Sequence, residues 1–174
     1  MTGTTKPAAA VGSTFLDYRR FWILLLSILL ADQASKWIIV GWSGFPLGLY
    51  PPFGGRVIIP GFFNIVYAVN YGAAWGMMEG YSWLLILLAV VVLALIWAFR
   101  RDLGLALPIH QFCFGMISGG IVGNTFDRLL RGHVVDFLDF RLPGYQWPTF
   151  NVADSAIVIG TIWYIYLQFR HQRD

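Results

Sequence analysis

The chain has 174 residues, which predicts one domain, and 57% of them are hydrophobic while only 12% are charged. Soluble globular proteins are about 25% charged, so this composition indicates a membrane protein. The formal net charge of +3 comes from cations that are scattered along the chain, which excludes a basic face for nucleic acid.

The N-terminal segment 1–20 is rich in Ala, Gly and Thr and has no periodic apolar face. A segment of this kind does not contain enough apolar surface to pack against the rest of a protein. Residues 1–20 are therefore predicted to be a mobile cytoplasmic tail.

Five apolar stretches follow that are long enough, at roughly 20 residues, for a helix to cross a bilayer. They are residues 21–41, 57–78, 80–99, 103–126 and 150–169. The second stretch contains Pro60 and Gly61 and is rich in alternating aromatic and β-branched residues, as strands are. We therefore predict four transmembrane helices, with residues 171–174 as a short C-terminal tail.

The basic residues near the predicted spans indicate their orientation. With four spans these residues fall on one side of the membrane, whereas a fifth span would separate them. They are Arg19, Arg20, Arg100, Arg101, Arg170 and Arg173. Basic residues favour the cytoplasmic side, so both termini are predicted to be cytoplasmic. Segments 42–79 and 127–149 then lie outside the cytoplasm, the first as a small strand-rich platform and the second as a loop.

Polar side chains near the spans gather at the extracytoplasmic boundary. They are Asp32 and Lys36 in the first span, Asn124, Asp127 and Arg128 at the end of the third, and Asn151 and Asp154 at the start of the fourth. Ionisable groups are costly in lipid, so each one suggests a function. Asp32 and Lys36 are four residues apart in the favourable order for an ion pair, which would neutralise both charges.

Two Asn/Asp pairs approach this boundary from different helices. Asn124 and Asp127 share a helix face at a spacing of three residues, and so do Asn151 and Asp154. Asp154 could also simply cap the start of its helix. The occurrence of two such pairs makes capping alone an incomplete explanation.

The segment 132–140, GHVVDFLDF, places Asp136 and Asp139 among apolar residues, where at least one is expected to point inward. Composition does not choose between the two. Two aspartates that lie close together cannot both ionise cheaply, so one keeps a proton while the other is charged. The charged one can take a proton from water as the water attacks an amide carbonyl. The protonated one can polarise that carbonyl and protonate the leaving nitrogen.

This chemistry requires neither a cofactor nor a metal, and none is expected. The single cysteine, Cys113, supplies no Cys-rich metal site. The three histidines are not spaced as a ligand set.

Two other functions would use the same carboxylates. A small ion-coupled transporter or proton relay would bind and release protons on them. A non-enzymatic assembly subunit would use them as contacts between helices. No internal repeat relates the two halves of the chain, which counts against transport.

Five motifs resemble those of the lipoprotein signal peptidases, the type II signal peptidases of bacteria, and occur in the family's order. They are D-Q-A-S-K at 32–36, N-Y-G-A-A-W-G at 70–76, G-N-T-F-D-R at 123–128, G-H-V-V-D-F at 132–137 and F-N-V-A-D at 150–154. The resemblance runs from about residue 18 to residue 170. It implies an all-α integral membrane protein with four transmembrane helices and a small extracytoplasmic β-cradle.

The resemblance also implies an activity, that of an aspartic endopeptidase in the bacterial cytoplasmic (inner) membrane. Such an enzyme removes the signal peptide from prolipoproteins by cutting before a diacylglyceryl-modified cysteine. Its partners would be those substrates and membrane lipids, and we expect a monomer with its active site at the extracytoplasmic face. Motif positions assign Asp136 and Asp154 as the catalytic pair. The positions that would support this pair or contact substrate are Asn124, Asp127, Arg128, Asn151, Asp32, Lys36, Asn70 and Gly72.

Overall fold

The computed structural model describes residues 15–72 and 77–171. The described chain contains four α-helices and a four-stranded sheet. The helices are α1 (Arg19–Trp37), α2 (Ser82–Ala98), α3 (Pro108–Arg131) and α4 (Val152–His171), and the strands are β1 (Arg56–Ile59), β2 (Phe63–Asn70), β3 (Val134–Leu142) and β4 (Tyr145–Gln146). Residues 1–14 and 172–174, which belong to the predicted tails, lie outside the described residues.

The predicted tail is wrong for residues 15–20, because Phe15–Tyr18 form a short 3-10 turn that leads directly into α1. Tyr18 is buried, and its ring packs edge-on against Trp97 of α2 with 5.5 Å between the ring centroids. This aromatic contact gives the segment a packing partner that its own composition does not reveal. At its other end α1 continues into a π-helical turn, Ile38–Trp42.

The third helix differs most from its predicted span. It begins at Pro108 and not at residue 103, because residues 99–107 form turns. Proline suits the first helical turn, where its missing N–H has no partner to lose. The helix continues past residue 126 to Arg131 and ends at Gly132, whose φ of 76° is the left-handed conformation common at helix ends.

The sheet is antiparallel, in the order β1–β2–β3–β4. The predicted strand character of segment 42–79 is confirmed by β1 and β2. The predicted loop at 127–149 is wrong, because this segment contains the last residues of α3 together with β3 and β4. Its glycines and prolines suggested a loop. However, the apolar stretch VVDFLDF pairs with β2, which is distant in the sequence, and such pairing is invisible in local composition.

Helix α3 packs against α1, α2 and α4. Glycines allow two of these contacts to be close. A Cβ atom on Gly119 would stand 2.8 Å from the carbonyl oxygen of Leu25 in α1. On the adjacent face, Gly120 lies against the carbonyl oxygen of Ala153 in α4. The two neighbours therefore approach the α3 backbone more closely than any side chain would permit.

A completely buried ion cluster joins α1 to α3. Lys36 Nζ lies 2.8 Å from Asp32 Oδ2 and 2.9 Å from Asp127 Oδ2, and none of the three side chains is exposed. The predicted ion pair between Asp32 and Lys36 is confirmed, and Asp127 is a second acid on the same cation. Arg131 pairs with the other oxygen of Asp127. The two carboxylates, Asp32 and Asp127, are therefore balanced by two cations, Lys36 and Arg131.

The two carboxylates of this cluster also bind the backbone of neighbouring elements. Asp32 Oδ1 accepts a hydrogen bond of 3.0 Å from the N–H of Ala153 in α4. Asp127 Oδ2 accepts one of 3.1 Å from the N–H of Val135 in β3. A buried carboxylate needs such donors to compensate for lost water. The cluster therefore fixes the start of α4 and the start of β3 relative to α1 and α3.

The outer surfaces of α1, α2 and α4 are apolar, and the exposed large side chains include Ile23, Leu26, Leu30, Leu87, Leu88, Val91, Leu95, Ile159, Ile162 and Tyr166. Among the described residues, the helical runs Arg19–Trp42 and Val152–Arg170 are long and apolar enough to cross a bilayer. Helix α2 is apolar as well but has 17 residues. An apolar surface of this extent suits contact with lipid.

Replacing Lys36 with Met would leave Asp32 and Asp127 buried without the cation that they share. Removing one partner of a buried ion pair costs about 3–5 kcal/mol, so the thermal unfolding temperature of the detergent-solubilised protein is expected to fall sharply. Arg20→Met removes an exposed cation from the same helix and should leave the unfolding temperature close to that of the wild type. Equal unfolding temperatures for the two variants would contradict a role of the cluster in holding the helices together.

Gly119→Ala would place a methyl group 2.8 Å from both the Leu25 carbonyl oxygen and Ile28 Cβ. Because one of these is a backbone atom, α1 and α3 must move apart, and overpacking of this kind costs about 1–3 kcal/mol of unfolding free energy. Gly41→Ala is the matched control, since a Cβ there meets nothing within 4 Å. Chemical denaturation of both variants should show destabilisation only for Gly119→Ala, and equal stability would show that the contact is not tight.

Candidate active site

The backbone before α4 is fastened to β3. The N–H of Leu138 donates to the carbonyl oxygen of Phe150 at 2.9 Å, and the N–H of Phe150 donates back to the carbonyl oxygen of Leu138 at 3.2 Å. Leu138 lies two residues after Asp136 on the same strand. This bridge consequently places the next residue, Asn151, beside Asp136.

Asn151 contacts both of the predicted catalytic aspartates. Its Nδ2 donates to Asp136 Oδ1 at 2.7 Å, and its backbone N–H donates to Asp154 Oδ2 at 3.2 Å. Asn151 is completely buried, so these hydrogen bonds are shielded from water. One residue thus holds a carboxylate of the sheet and a carboxylate of the first turn of α4 in the same place. We call Asp136 and Asp154 the aspartate pair.

Asp154 also caps α4, which is the alternative role that its position suggested. Asn151 Oδ1 accepts the N–H of Asp154 at 2.9 Å, while Asp154 Oδ2 accepts the N–H of Asn151 in return. This reciprocal arrangement is a capping box. The other carboxylate oxygen, Oδ1, accepts a hydrogen bond of 2.7 Å from Asn124 Nδ2. Capping therefore occupies only one oxygen of Asp154 and is compatible with a second role.

Asn124 connects the ion cluster to the aspartate pair. Its Oδ1 accepts hydrogen bonds from Lys36 Nζ at 3.0 Å and from Asn151 Nδ2 at 3.2 Å. Its Nδ2 donates to Asp154, as described above. Amide groups are neutral, so they orient a carboxylate without giving it a counter-charge. The Lys36 cation itself is shared between the two acids of the ion cluster.

The end of β2 holds Asp136 from the other side. Asn70 hydrogen-bonds the Asp136 carboxylate, and its Oδ1 accepts the N–H of Gly72 at 2.9 Å. Arg128 Nη2 donates to the carbonyl oxygen of Gly72 at 2.7 Å, and Nη1 donates to that of Asn124 at 3.3 Å. Arg128 therefore ties the end of β2 to α3. The remaining residues of the motif that begins at Asn70, residues 73–76, lie outside the described residues.

The surroundings of Asp136 favour its protonated form. Only 2% of this residue is exposed. Burial and, next, the neighbouring Asp154 carboxylate raise the pKa of Asp136 to about 7, while hydrogen bonds from Asn151 and Asn70 oppose the shift. A large fraction of Asp136 therefore holds a proton at neutral pH. The site combines this proton donor with a second carboxylate, which is the arrangement that acid–base catalysis requires.

Asp136 lies in the wall of a cavity of about 380 Å³. The other wall residues are Tyr50, Val69, Asn70, Tyr71, Gly72, Glu79, Gln146, Trp147, Pro148 and Thr149. They come from the sheet and from the segments that flank it. Pockets of about 300–1,000 Å³ are typical of ligand sites. A peptide segment in this cavity would lie against the Asp136 side chain.

The predicted supporting residues form three groups in the structure. Asn70, Asn124 and Asn151 contact the aspartate pair directly; Asp32, Lys36 and Asp127 form the ion cluster; Gly72 and Arg128 join the end of β2 to α3. Among the described residues no hydrogen bond joins Arg128 to either aspartate. Arg128 holds the backbone at the end of β2, and its guanidinium also interacts electrostatically with both aspartates.

Asp139 is the residue that composition does not distinguish from Asp136. It is completely buried, and its carboxylate accepts hydrogen bonds from Asn64, Arg141 and Gln146. Within the described chain, Asp136 is the one of the two that contacts Asn151.

Gln33 was missed by the sequence analysis. Its Nε2 lies 3.1 Å from Asp32 Oδ2 and 3.2 Å from Asp127 Oδ1, so it extends the ion cluster. The residue stands inside the D-Q-A-S-K motif, which was the available indication. The sequence analysis also does not predict Asn64 and Gln146. They stand in no motif, and only strand pairing brings them to Asp139.

In residues 15–72 and 77–171, no group of three or more His, Cys, Asp or Glu side chains is arranged to hold a metal ion. The chemical groups that the described site offers are two carboxylates and the neutral amides that orient them. What this arrangement can do is transfer protons to and from a bound substrate and water.

The sequence and the fold match known proteins over most of the chain. A family model described as signal peptidase (SPase) II matches residues 24–170. Lipoprotein signal peptidases from Vibrio vulnificus and Ralstonia nicotianae are 35% and 42% identical to this chain, over 160 and 159 residues. These alignments cover 90% and 87% of this chain and 91% and 82% of the two relatives. A solved structure described as a bacterial membrane enzyme matches with a TM-score of 0.75 at 31% identity, over 87% of this chain and 88% of that one.

These matches confirm the resemblance that the five motifs indicated, since the matched segment contains all five of them. The match to a membrane enzyme agrees with the apolar outer surfaces of the helices. The chain therefore belongs to the signal peptidase II family and is an aspartic-type signal peptidase.

Proposed function

We propose that this protein removes the signal peptide from bacterial prolipoproteins by cutting before a diacylglyceryl-modified cysteine, with the aspartate pair as its catalytic groups. The single observation that carries the proposal is that Asn151 binds Asp136 through its side chain and Asp154 through its backbone. Two carboxylates from separate elements are thus kept together, and one of them, Asp136, lies in the wall of a cavity. The names of the relatives support the choice of substrate.

The surroundings of the two carboxylates differ, which supports different roles for them as base and acid. Asp154 lies in the first turn of α4, where the helix dipole favours a negative charge. It also accepts hydrogen bonds from Asn124 Nδ2 and the Asn151 N–H. Asp136 is more deeply buried and holds a proton around neutral pH. Asp154 is therefore the proposed base and Asp136 the proposed acid.

In the proposed reaction, ionised Asp154 takes a proton from a water molecule as the water oxygen attacks the scissile carbonyl carbon. Protonated Asp136 donates a hydrogen bond to the carbonyl oxygen and stabilises the charge that develops there. When the C–N bond breaks, Asp136 gives its proton to the leaving nitrogen, and the proton that Asp154 took from water keeps the pair singly protonated. The products are a new carboxyl group on the signal peptide and a free amine on the lipid-modified cysteine.

We further propose that all four α-helices cross the membrane, with both termini in the cytoplasm. Contacts at one end of the bundle support this topology. Gln111 Nε2, at the start of α3, donates to the carbonyl oxygen of Asp17 just before α1 at 2.8 Å. Tyr164, late in α4, packs against His110 with 5.3 Å between the ring centroids. Together with the contact between Tyr18 and Trp97, these two contacts place the starts of α1 and α3 and the ends of α2 and α4 at the same end of the bundle.

The basic residues lie at this same end of the bundle, namely Arg19, Arg20, Arg100, Arg101 and Arg170. Because basic residues favour the cytoplasmic side, the aspartate pair at the other end faces outward. Helix α2, at 1.5 Å per residue, is about 26 Å long, and its flanking turns bring it near the bilayer thickness of about 30 Å.

A site at this position suits a substrate that is anchored in lipid. The acyl chains of the modified cysteine stay in the bilayer while the peptide enters the cavity, so neither has to be extracted. We also propose a monomeric enzyme in the bacterial inner membrane, with lipids around its apolar helices.

Asp136→Asn and Asp154→Asn are each expected to reduce cleavage of a diacylglyceryl prolipoprotein peptide by about 10²–10⁴-fold, because each removes one proton-transfer group. The amide has the same shape as the carboxyl group, so both variants should fold, although the lost acceptor oxygen lowers the unfolding temperature of Asp154→Asn somewhat. Cleavage by the purified protein in detergent or liposomes is the measurement.

The matched control for these variants is Asp102→Asn, which makes the same change at an exposed position. It should cleave at the wild-type rate. More than a tenth of the wild-type rate in either variant of the aspartate pair would contradict the assignment. Movement of protons or solute by wild-type protein that does not cleave the peptide would favour the transporter alternative.

The rate is also expected to depend on pH in a bell shape. The pKa of Asp136 is raised to about 7 by burial and by Asp154, so this proton persists to neutral pH and is lost above it. The value of kcat/KM should therefore fall as the pH rises past about 7, and it should also fall at low pH once both carboxylates are protonated. Unfolding temperatures at the same pH values control for loss of structure. A constant kcat/KM throughout the alkaline range would rule out Asp136 as the acid.

A further inference from the structure

Asp139 is the centre of a polar network that is separate from the aspartate pair. Its Oδ2 accepts hydrogen bonds from Asn64 Nδ2 at 2.7 Å and from Arg141 Nε at 3.0 Å. Its Oδ1 accepts one from Gln146 Nε2 at 2.9 Å. The three donors belong to β2, β3 and β4, and Asp139 itself is completely buried. One carboxylate therefore joins three strands of the sheet.

Two of these donors, Gln146 and Arg141, connect Asp139 to the wall of the cavity that contains Asp136. Gln146 is itself a wall residue. The Arg141 guanidinium lies 5.7 Å from the centroid of the Tyr50 ring, within the range of a cation–π contact, and Tyr50 is another wall residue. Asp139 thus fixes two wall residues, one directly and one through Arg141.

The rest of the structure offers little to restrain the Gln146 side chain. Strand β4 has two residues, and it pairs with β3 through Arg141 and Leu142. Gln146 is exposed, so little packing restrains its side chain. A hydrogen bond to a carboxylate is about twice as strong as one between neutral groups. The contact with Asp139 is therefore the main restraint on the orientation of the Gln146 amide.

We propose that Asp139 is a positioning residue for substrate binding, which holds Gln146 and Tyr50 against the peptide segment next to the scissile bond. This inference rests on the proposed function and adds a second acid with a different task. Asp136 and Asp154 carry out the chemistry, whereas Asp139 shapes the cavity. Its loss should therefore weaken substrate binding and leave the chemical step nearly unchanged.

Asp139→Asn keeps the size of the side chain but removes the charge and replaces one acceptor oxygen with a donor. For cleavage of a diacylglyceryl prolipoprotein peptide, KM is expected to rise about tenfold, because a hydrogen bond to a charged group is lost. The value of kcat should change less than about twofold. Gln146→Ala should raise KM by a smaller factor, since it leaves the contact between Asp139 and Arg141 intact. The double variant should be no worse than Asp139→Asn alone, since Asp139→Asn already removes the contact with Gln146.

Asp102→Asn again serves as the matched control and should show wild-type KM and kcat. A wild-type KM in folded Asp139→Asn, additive effects in the double variant, or a loss of kcat as large as that of Asp136→Asn would each overturn the inference. If Asp139→Asn does not fold, the exposed Gln146→Ala decides, and a wild-type KM in that variant would equally overturn it. Failure of the wild type to cleave the peptide would be seen first, and it would defeat the proposed function and this inference with it.

Discussion

The structure depends on one buried cation. Lys36 lies between Asp32 and Asp127, and all three side chains are removed from water. Charges in such a place are tolerated only if they are paired and their remaining hydrogen-bonding groups are satisfied. Asp32 and Asp127 also accept hydrogen bonds from the backbone N–H groups of Ala153 and Val135, so the same requirement that keeps the charges stable also fixes the start of α4 and of β3. Asp154 lies at the start of α4 and Asp136 near the start of β3, so the ion cluster positions both members of the aspartate pair.

Neutral amides separate this ion cluster from the aspartate pair. Asn124 hydrogen-bonds to Lys36 on one side and to Asp154 on the other, while Asn151 holds both aspartates. If a cation stood where these amides stand, both carboxylates would be ionised at neutral pH. With amides in that position, the aspartates are oriented but not neutralised, and burial keeps a proton on Asp136. The proposed acid–base mechanism depends on these neutral donors, which hydrogen-bond the pair while the cation of the ion cluster stays with its own acids.

The small sheet explains how a membrane enzyme of the signal peptidase II family places such a pair at the edge of a helix bundle. Strand β3 supplies Asp136, the bridge from Leu138 to Phe150 places Asn151 beside it, and α4 then begins with Asp154 in its first turn. The sheet also forms much of the cavity wall. In the proposed function, the helices retain the lipid-bearing end of the substrate in the bilayer while the sheet receives the peptide.

The sequence by itself indicated the membrane character, the approximate helices and the family, and its motifs predicted Asp136 and Asp154 as the catalytic pair, because span length, basic residues and contiguous motifs are local properties of the chain. It did not determine that residues 134–142 form a strand, that Asp127 shares Lys36 with Asp32, or that Asp139 binds Asn64. The pairing of β3 with β2 and the close approach of α1 to α3 decided these points. Both contacts join residues that are far apart in the chain, so their energies depend on partners that no local pattern contains.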